Sequence, residues 1–415
     1  MFVRPAQSVT YAQDRFAYMI GFELTQEQQM MRDVARDFAL RELAPAVDNA
    51  ERVEDGHIDR DRSLQLFRAA AKIGLHSMLL PVAYGGGGQT CIDNAIVQEE
   101  LGAIDVGLAS SLNLTMTVPN LIALGGTDAQ RRDWLSDLVE SDDHILAGAL
   151  NEPGVAGSEL FCPLPDSALG IRTRAERDGN HYVINGSKAG WVTNGGIAKS
   201  YFVFARTSFD GPAMATTSAF YIPADTPGLS TGPRTELLGM RSSWHAELFL
   251  DDVRVPESSR LGDEHGGLAL MGAASGGMAV GLAAAFVGLA RAAFQLALSH
   301  ADQRMSGGQP IREHQAVALQ LADAAVELQT ARLLVWDAAV AVDNGDPAAA
   351  WKVPAAKTHA VDVAIANAER AVKIHGAAGV SRGMPPERLL RDAWTGYSCD
   401  FTKEVLRLGL ASSLS

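Results

Sequence analysis

The 415-residue chain changes texture twice, and that alternation restricts its fold more than any single motif. Between Asn151 and Pro256, short runs rich in Val, Ile, Phe and Tyr succeed one another: Tyr182–Ile184, Tyr201–Ala205, Ala219–Ile222 and Ala246–Leu250. Turn signals such as Asp178-Gly179 and Asn185-Gly186 separate them, the pattern of an antiparallel sheet. On either side apolar residues recur at helical spacing. The order predicts a mostly α member of the α+β class: an N-terminal all-α domain over 22–147, a central antiparallel β-barrel-like domain over 148–260, and a C-terminal four-helix bundle over 261–415.

The helical parts carry their own punctuation. Thr25-Gln26-Glu27-Gln28 opens a capping box, and Met30, Met31, Val34, Phe38 and Leu43 follow on one face, with a stop expected near Pro45. A second helix is predicted from about Asp61 to Ile73, ending at Gly74. Others follow over Ile92–Leu101, Leu108–Leu124 and Asp128–Leu138. After the sheet, Met278–Gln303, Glu313–Asp343 and Pro347–Lys373 each exceed twenty residues, as bundle helices do. Gly266 to Ala290 holds no charge over 25 residues, long enough to span a bilayer. Its Gly and Ala content instead predicts a loop followed by a tightly packed buried helix, with no membrane role.

Charge and missing motifs exclude several functions. A formal net charge of −14 leaves no broad basic face for nucleic acid. Cys91, Cys162 and Cys399 lie far apart, which argues against a thiolate zinc site or a disulfide framework, and a cytoplasmic location is expected. Arg4, Asp14 and Arg15 interrupt any signal-peptide core, and 1–21 reads as a loose extension. No phosphate loop, GxGxxG, HExxH or GxSxG is present. His245, His314, His359 and His375 lack ligand spacing and are expected to be structural or surface residues, with no metal.

Chemistry-bearing peptides cluster at the junctions between textures. These are Asn151-Glu152-Pro153-Gly154 through Glu159, Trp191-Val192-Thr193-Asn194-Gly195, Leu238-Gly239-Met240-Arg241, the Arg304 peptide RMSGGQPIREHQ, and Arg391 to Arg407. Within the last, Asp400 stands between Cys399 and Phe401 at a helix break. A lone carboxylate there has two readings: a helix N-cap, or a general base with a raised pKa.

Taken together, in this order, the junction peptides resemble those of the acyl-CoA dehydrogenase family over nearly the whole chain, from about Phe22 to Leu410. The resemblance implies FAD as cofactor and α,β-dehydrogenation of an acyl thioester. Trp191 would wall the isoalloxazine and Thr193 would bring a hydroxyl near its reactive nitrogen. Leu150, Asn151 and Ser158 would line the neighbouring loop. Arg304 matches an arginine that reaches the FAD diphosphate of a neighbouring subunit, where a planar guanidinium suits phosphate. Lys373, Gly376 and Ala377 fall on the cofactor-facing loop that follows. Thr402 and Glu404 match positions flanking the flavin.

Asp400 occupies the place of the family's glutamate base, one methylene shorter, a loss of reach of roughly 1.3 Å. It would take the α-proton while a backbone amide and the flavin ribose polarise the carbonyl.

The family further implies a homotetramer or homodimer and electron-transferring flavoprotein, or another acceptor, as partner. The chain departs from the pattern at Cys399 and Phe401 beside the base, at Gly307, and at Gly276 and Ala279, where relatives carry charged residues that place CoA. CoA therefore heads the list of carriers, with acyl carrier protein as the alternative. A flavin monooxygenase or oxidase on the same fold, and a degenerate scaffold, are the competing functions.

Overall fold

The computed structural model describes residues 23–52, 56–155, 159, 166 and 168–412. Ser158 and the N-terminal extension lie outside the described residues.

The first helices are α1 (Gln26–Phe38), α2 (Ala44–Arg52), α3 (Arg60–Lys72), α4 (Cys91–Ile104), α5 (Val106–Thr117), α6 (Asn120–Gly125), α7 (Asp128–Gln130) and α8 (Ser136–Glu140). Thr25 and Gln28 close the expected capping box reciprocally, at 3.2 and 3.1 Å. The expected stop near Pro45 does not occur. A π-turn over Ala39–Leu43 lets the Ala44 amide donate to the Ala39 carbonyl. Pro45 then sits in the first turn of α2, where a missing N–H disrupts least. Pro119 does break the expected Leu108–Leu124 helix, between α5 and α6.

The sheet has eight strands: β1 (Leu146–Ala149), β2 (Arg174–Asp178), β3 (His181–Thr193), β4 (Ser200–Arg206), β5 (Thr217–Pro223), β6 (Leu229–Arg234), β7 (His245–Pro256) and β8 (Arg260–Leu261). Its order is β6-β7-β3-β2-β4-β5-β8, with β1 paired to β4. Most pairings are antiparallel, while β1 and β2 meet β4 in parallel. The β3–β7 register shifts between Lys188 and Val192. Such an irregularity re-aims the side chains that follow it, and here they are Trp191, Val192 and Thr193.

The C-terminal helices are α9 (Gly267–Gln303), α10 (Gln315–Asp343), α11 (Ala349–His375), α12 (Pro385–Thr395) and α13 (Lys403–Ser412), with a short hairpin after α9. The segment expected to be a loop before Met278 is the first part of α9. Packing overrides the helix cost of its glycines, and further along the helix small residues are required. A Cβ on Gly102 would sit 2.1 Å from the Ala285 carbonyl oxygen, and one on Gly288 would sit 2.2 Å from that of Glu99. The backbones of α4 and α9 therefore touch.

Around that crossing, Glu99 pairs with Arg332 at 2.7 Å and Arg291 at 3.2 Å, while Glu100 pairs with Arg36 at 3.0 Å and Arg291 at 2.9 Å. This lattice ties α1, α4, α9 and α10 together. By length and composition, Val106–Gly125 and α9 could each cross a membrane, but more than half of each apolar window is buried inside the protein. A second core cluster joins Leu146, Leu150, Val155, Phe202, Ala274 and Met278, with Phe401 packed against it. It brings sheet, α9 and the C-terminal turn to one place.

Candidate active site

The loop leaving β1 is anchored from below. Glu152 is buried and accepts from the Arg172 amide at 2.6 Å, the Thr173 amide at 3.0 Å, the Thr173 hydroxyl at 2.5 Å and Lys188 Nζ at 2.8 Å. Lys188, fully buried, also donates to the carbonyls of Leu150 at 3.3 Å and Phe204 at 2.6 Å. Burial lowers the Lys188 pKa, and it also works against charge on Glu152, whose pKa is nevertheless lowered by Lys188 and Thr173. The two shifts pull toward opposite charge states. Three acceptors around one Nζ are the surroundings of an ammonium, so we assign the pair as ionised.

Leu150 and Asn151 are thereby fixed at the mouth of the strand. The Asn151 carbonyl accepts from the Ala189 amide at 2.9 Å, and the buried side-chain Oδ1 has no hydrogen-bond partner among the described residues. A buried amide oxygen without a partner is rare in a finished interior.

Beyond the bulge, Trp191 leaves 63% of its surface open while its neighbour Val192 is buried. An indole this exposed beside buried Lys188, Ala189, Gly190 and Val192 is a face that a planar partner could cover. Thr193 is half-buried, and its Oγ1 lies 3.1 Å from Nε2 of His245, the residue directly opposite on β7. Burial, helped by Arg234, pushes the His245 imidazole down to about 4. Asn194 (φ 64°) then turns the chain and donates to the Ser111 carbonyl at 3.1 Å, locking the sheet onto α5.

Asp400 sits in a turn of unusual backbone. Asp400 (φ 45°) and Phe401 (φ 73°) both occupy the left-handed region, which non-glycine residues adopt at a cost. The buried Lys357 of α11 reaches up beneath them. Its Nζ donates to the Cys399 carbonyl and, at 3.2 Å, to that of Phe401. The two carbonyls flanking Asp400 are therefore held by one ammonium.

Asp400 keeps an open surface but is crowded closely enough by protein for burial to raise its pKa, with Lys357 pulling the other way. Both conditions hold for a side chain lining a cleft. The carboxylate accepts no hydrogen bond within the described residues, and α13 begins at Lys403, with the Leu406 amide returning to the Thr402 carbonyl at 3.2 Å. Thr402, not Asp400, thus stands at the cap position. Glu404 is exposed and accepts from the Tyr397 hydroxyl at 2.5 Å. Burial pushes the Cys399 thiol up to about 12, so it stays neutral.

The turn is tied to the sheet through the loop 238–241. The Met240 amide donates to Asp392 at 2.7 Å, the Gly239 amide to Thr395 at 3.1 Å, and Met240 Sδ accepts from the Cys399 thiol at 3.6 Å. A Cβ on Gly239 would lie 2.3 Å from the Arg391 carbonyl oxygen, so glycine alone permits this approach. Asp392 is buried, and burial raises its pKa against the pull of Arg388.

Arg304, Lys373, Gly376 and Ala377 gather elsewhere. His300 and His375 stack at 4.1 Å, which brings the end of α9 and the end of α11 together. Arg304 and Lys373 are exposed there, and Lys373 pairs with Glu369 at 3.4 Å. Lys357 and His375 are eighteen residues apart on α11, about 27 Å along the axis. This end therefore does not share a pocket with Asp400.

Lys357 and His245 belong to no motif, whereas Lys188 closes the Asn185-Gly186-Ser187-Lys188 peptide that leads to Trp191. Lys357 left a trace, since it interrupts the apolar stripe of Ala356, Ala360, Val361 and Ala364. A lysine on a buried stripe must have acceptors.

Three family models match the chain: the acyl-CoA dehydrogenase N-terminal domain over 25–142, the middle domain over 149–253 and the C-terminal domain over 265–415. The probable acyl-CoA dehydrogenase YngJ of Bacillus subtilis is 35% identical over 399 residues, covering 95% of this chain and 100% of that protein. Butyryl-CoA dehydrogenase from Megasphaera elsdenii is similar in structure, with a TM-score of 0.87 at 32% identity, over 95% of this chain and 100% of that one. The prolyl acyl carrier protein oxidase AnaB gives a TM-score of 0.85 at 26% identity, over 95% and 100%. Matched by all three domain models and by a relative of its own length, the chain belongs to the acyl-CoA dehydrogenase family.

Proposed function

We propose that this protein is an FAD-dependent dehydrogenase that places a double bond between the α and β carbons of an acyl thioester, with Asp400 as the base. The observation that carries the assignment is the left-handed Asp400–Phe401 turn over Lys357, which presents an exposed carboxylate whose pKa the surrounding protein raises.

The residues present fit a flavin. Trp191 offers an uncovered indole, Asn151 a buried amide oxygen without a partner, and Thr193 a half-buried hydroxyl at the end of the same strand. Leu150, Asn151 and Ser158 would line the ring's polar edge, with Thr402 and Glu404 beside it. Arg304, Lys373, Gly376 and Ala377 would meet the diphosphate of an FAD held mainly by another subunit. When bound, FAD supplies the two-electron oxidant that takes the β-hydrogen with its electron pair.

The chain's own residues do the rest. Asp400 accepts the α-proton. Its pKa, raised by burial, brings its basicity closer to the task than that of a free aspartate. Lys357 keeps the carboxylate from drifting by fixing the carbonyls on either side. Phe401, packed against the core cluster that includes Leu150 and Met278, would keep water from the acyl chain.

The assembly is read as a homotetramer or homodimer, as the family implies, with Arg304 serving the FAD of a neighbouring subunit. Electron-transferring flavoprotein is the acceptor that the family implies, and CoA the carrier.

The test is anaerobic titration of the holoenzyme with a panel of acyl-CoAs and carrier-bound acyl groups, following the flavin absorption band. Bleaching by acyl-CoA supports the reading, whereas bleaching by carrier-bound groups alone would move the substrate to a carrier protein. Asp400→Asn should retain FAD and lose about 10²- to 10⁴-fold in reduction rate. An unchanged rate would remove Asp400 from the role of base.

A further inference from the structure

Among the described residues, His245 is a buried titratable group in side-chain contact with a residue assigned to the flavin, and the reaction as described makes no use of it. It lies opposite Thr193 across the β3–β7 ladder, its Nε2 is 3.1 Å from Thr193 Oγ1, and 6% of it is exposed. We propose that His245 is a positioning residue that takes the Thr193 hydroxyl proton, so that Thr193 presents only lone pairs to the reactive nitrogen of the flavin and thereby favours the reduced cofactor. This rests on the reading that Thr193 faces that nitrogen.

The argument turns on where the imidazole keeps its single proton. With its pKa pushed down to about 4 by burial and Arg234, the ring is neutral at any ordinary pH and has one N–H and one lone pair. The Ser243 backbone acts on the ring as an acceptor, raising its pKa, while the buried Nδ1 makes no hydrogen bond of good geometry among the described residues; with Nε2 turned to Thr193, we take Nδ1 as the nitrogen on the Ser243 side. A proton on Nδ1 points at an acceptor, whereas a lone pair there would meet the carbonyl oxygen's own lone pairs. The proton therefore belongs on Nδ1 and Nε2 accepts. Thr193 Oγ1 is the group within reach of Nε2, so the hydroxyl donates to it.

The consequence for a flavin follows from its valence. Oxidised, the reactive nitrogen accepts hydrogen bonds; reduced, it carries a proton and donates. A hydroxyl whose proton is committed to His245 cannot donate to the oxidised form but can accept from the reduced one. Without His245, the hydroxyl rotates freely and donates to the oxidised form instead.

The test is the two-electron potential of the substrate-free holoenzyme, measured anaerobically against reference dyes. His245→Ala should lower the potential by about 30 mV, a tenfold shift toward the oxidised form. His245→Gln, whose amide oxygen can accept in place of Nε2, should restore most of it. Thr193→Val should lower the potential by itself, and adding His245→Ala to it should change nothing more.

A rise in potential in His245→Ala would put the proton on Nε2 and overturn the proposal. So would an effect that persists without the Thr193 hydroxyl, or one that His245→Gln shares in full. If His245→Ala fails to hold FAD, Thr193→Val and His245→Gln still decide. Thr193→Val raising the potential, or His245→Gln lowering it by the full shift, overturns the proposal. If Thr193→Val leaves both potential and flavin spectrum unmoved, the placement of Thr193 is wrong, and the proposal falls with it. If Thr193→Val moves them and His245→Ala does not, only the His245 inference fails.

Discussion

The two ends of the site are built on opposite plans. At the Asp400 end, every element that sets geometry is buried and partnered within the chain: Lys188 with Glu152, Lys357 with the Cys399 and Phe401 carbonyls, Asp392 with the Met240 amide. At the Arg304 end, the cations stand in solvent at the tips of two helices, joined by a stack of two histidines. The first plan fixes a reacting group before anything binds, which is what proton transfer at short range demands. The second leaves charge exposed for a ligand or neighbour to cover. On the proposed reading, preorganisation is spent where the proton is taken, and the far end is completed by a neighbouring subunit.

The largest effect should come from breaking the self-contained end at its base. Lys188→Met leaves the Glu152 carboxylate buried with its cation gone, and stranding one partner of a buried pair costs about 3–5 kcal/mol. Denaturant unfolding of the apo protein should show that loss, with FAD retention falling too as the Leu150–Asn151 loop comes loose. Adding Glu152→Gln should recover part of it, since the two residues act as one unit. If Lys188→Met is as stable as the parent chain, the loop is not held from below and the contrast between the two ends collapses.

A smaller and more specific effect should follow at Lys357. Lys357→Met strands the Cys399 and Phe401 carbonyls at a cost of about 1–3 kcal/mol. Its informative readout is the pH dependence of anaerobic flavin reduction. Burial raises the Asp400 pKa and Lys357 opposes that rise. Removing the ammonium therefore raises the pKa further, fewer carboxylates are ionised at a given pH, and the acid limb of the rate profile moves to higher pH. A limb that moves down, or stays put while the rate falls uniformly, would mean that Lys357 acts on the turn's shape and not on the proton.

The same contrast explains what could be read from the sequence. The change of texture gave the helix–sheet–helix order because periodicity is local, and junction peptides such as Trp191–Gly195 and Arg391–Asp400 are contiguous. The supports are not. Lys357 lies 43 residues before Asp400 and Lys188 lies 36 after Glu152, and neither partner marks the other. His245 was read as structural because its meaning depends on a strand register that places it opposite Thr193.

The start of α9 was misread for a related reason. Gly267 there packs against Ser218 and Ala219 of the sheet, and only further along, at Gly288, does glycine let α4 touch the helix; neither neighbour is visible in the local sequence. Pro45 likewise looked like a stop because a π-turn has no sequence signature of its own.

The smallest effect on the fold, and the sharpest separation of the two plans, belongs to Arg304 and Lys373. Neither side chain is buried, and the exposed Lys373–Glu369 pair at 3.4 Å contributes little in high dielectric. Arg304→Ala and Lys373→Ala should therefore leave the unfolding midpoint of the apo protein within measurement error. If these cations meet a diphosphate, the same substitutions should weaken FAD binding, Arg304→Ala more than Lys373→Ala because the guanidinium offers a two-pronged donor and the ammonium a point charge. The difference between parent and variant should shrink as salt rises, since exposed charges are screened within about 10 Å at 0.1 M ionic strength. A charge that matters to the cofactor and not to the fold is the signature of a surface completed from outside. Were Arg304→Ala instead to destabilise the apo chain and spare FAD binding, the arginine would be a structural element of the helix end, and the far end would be as self-contained as the near one.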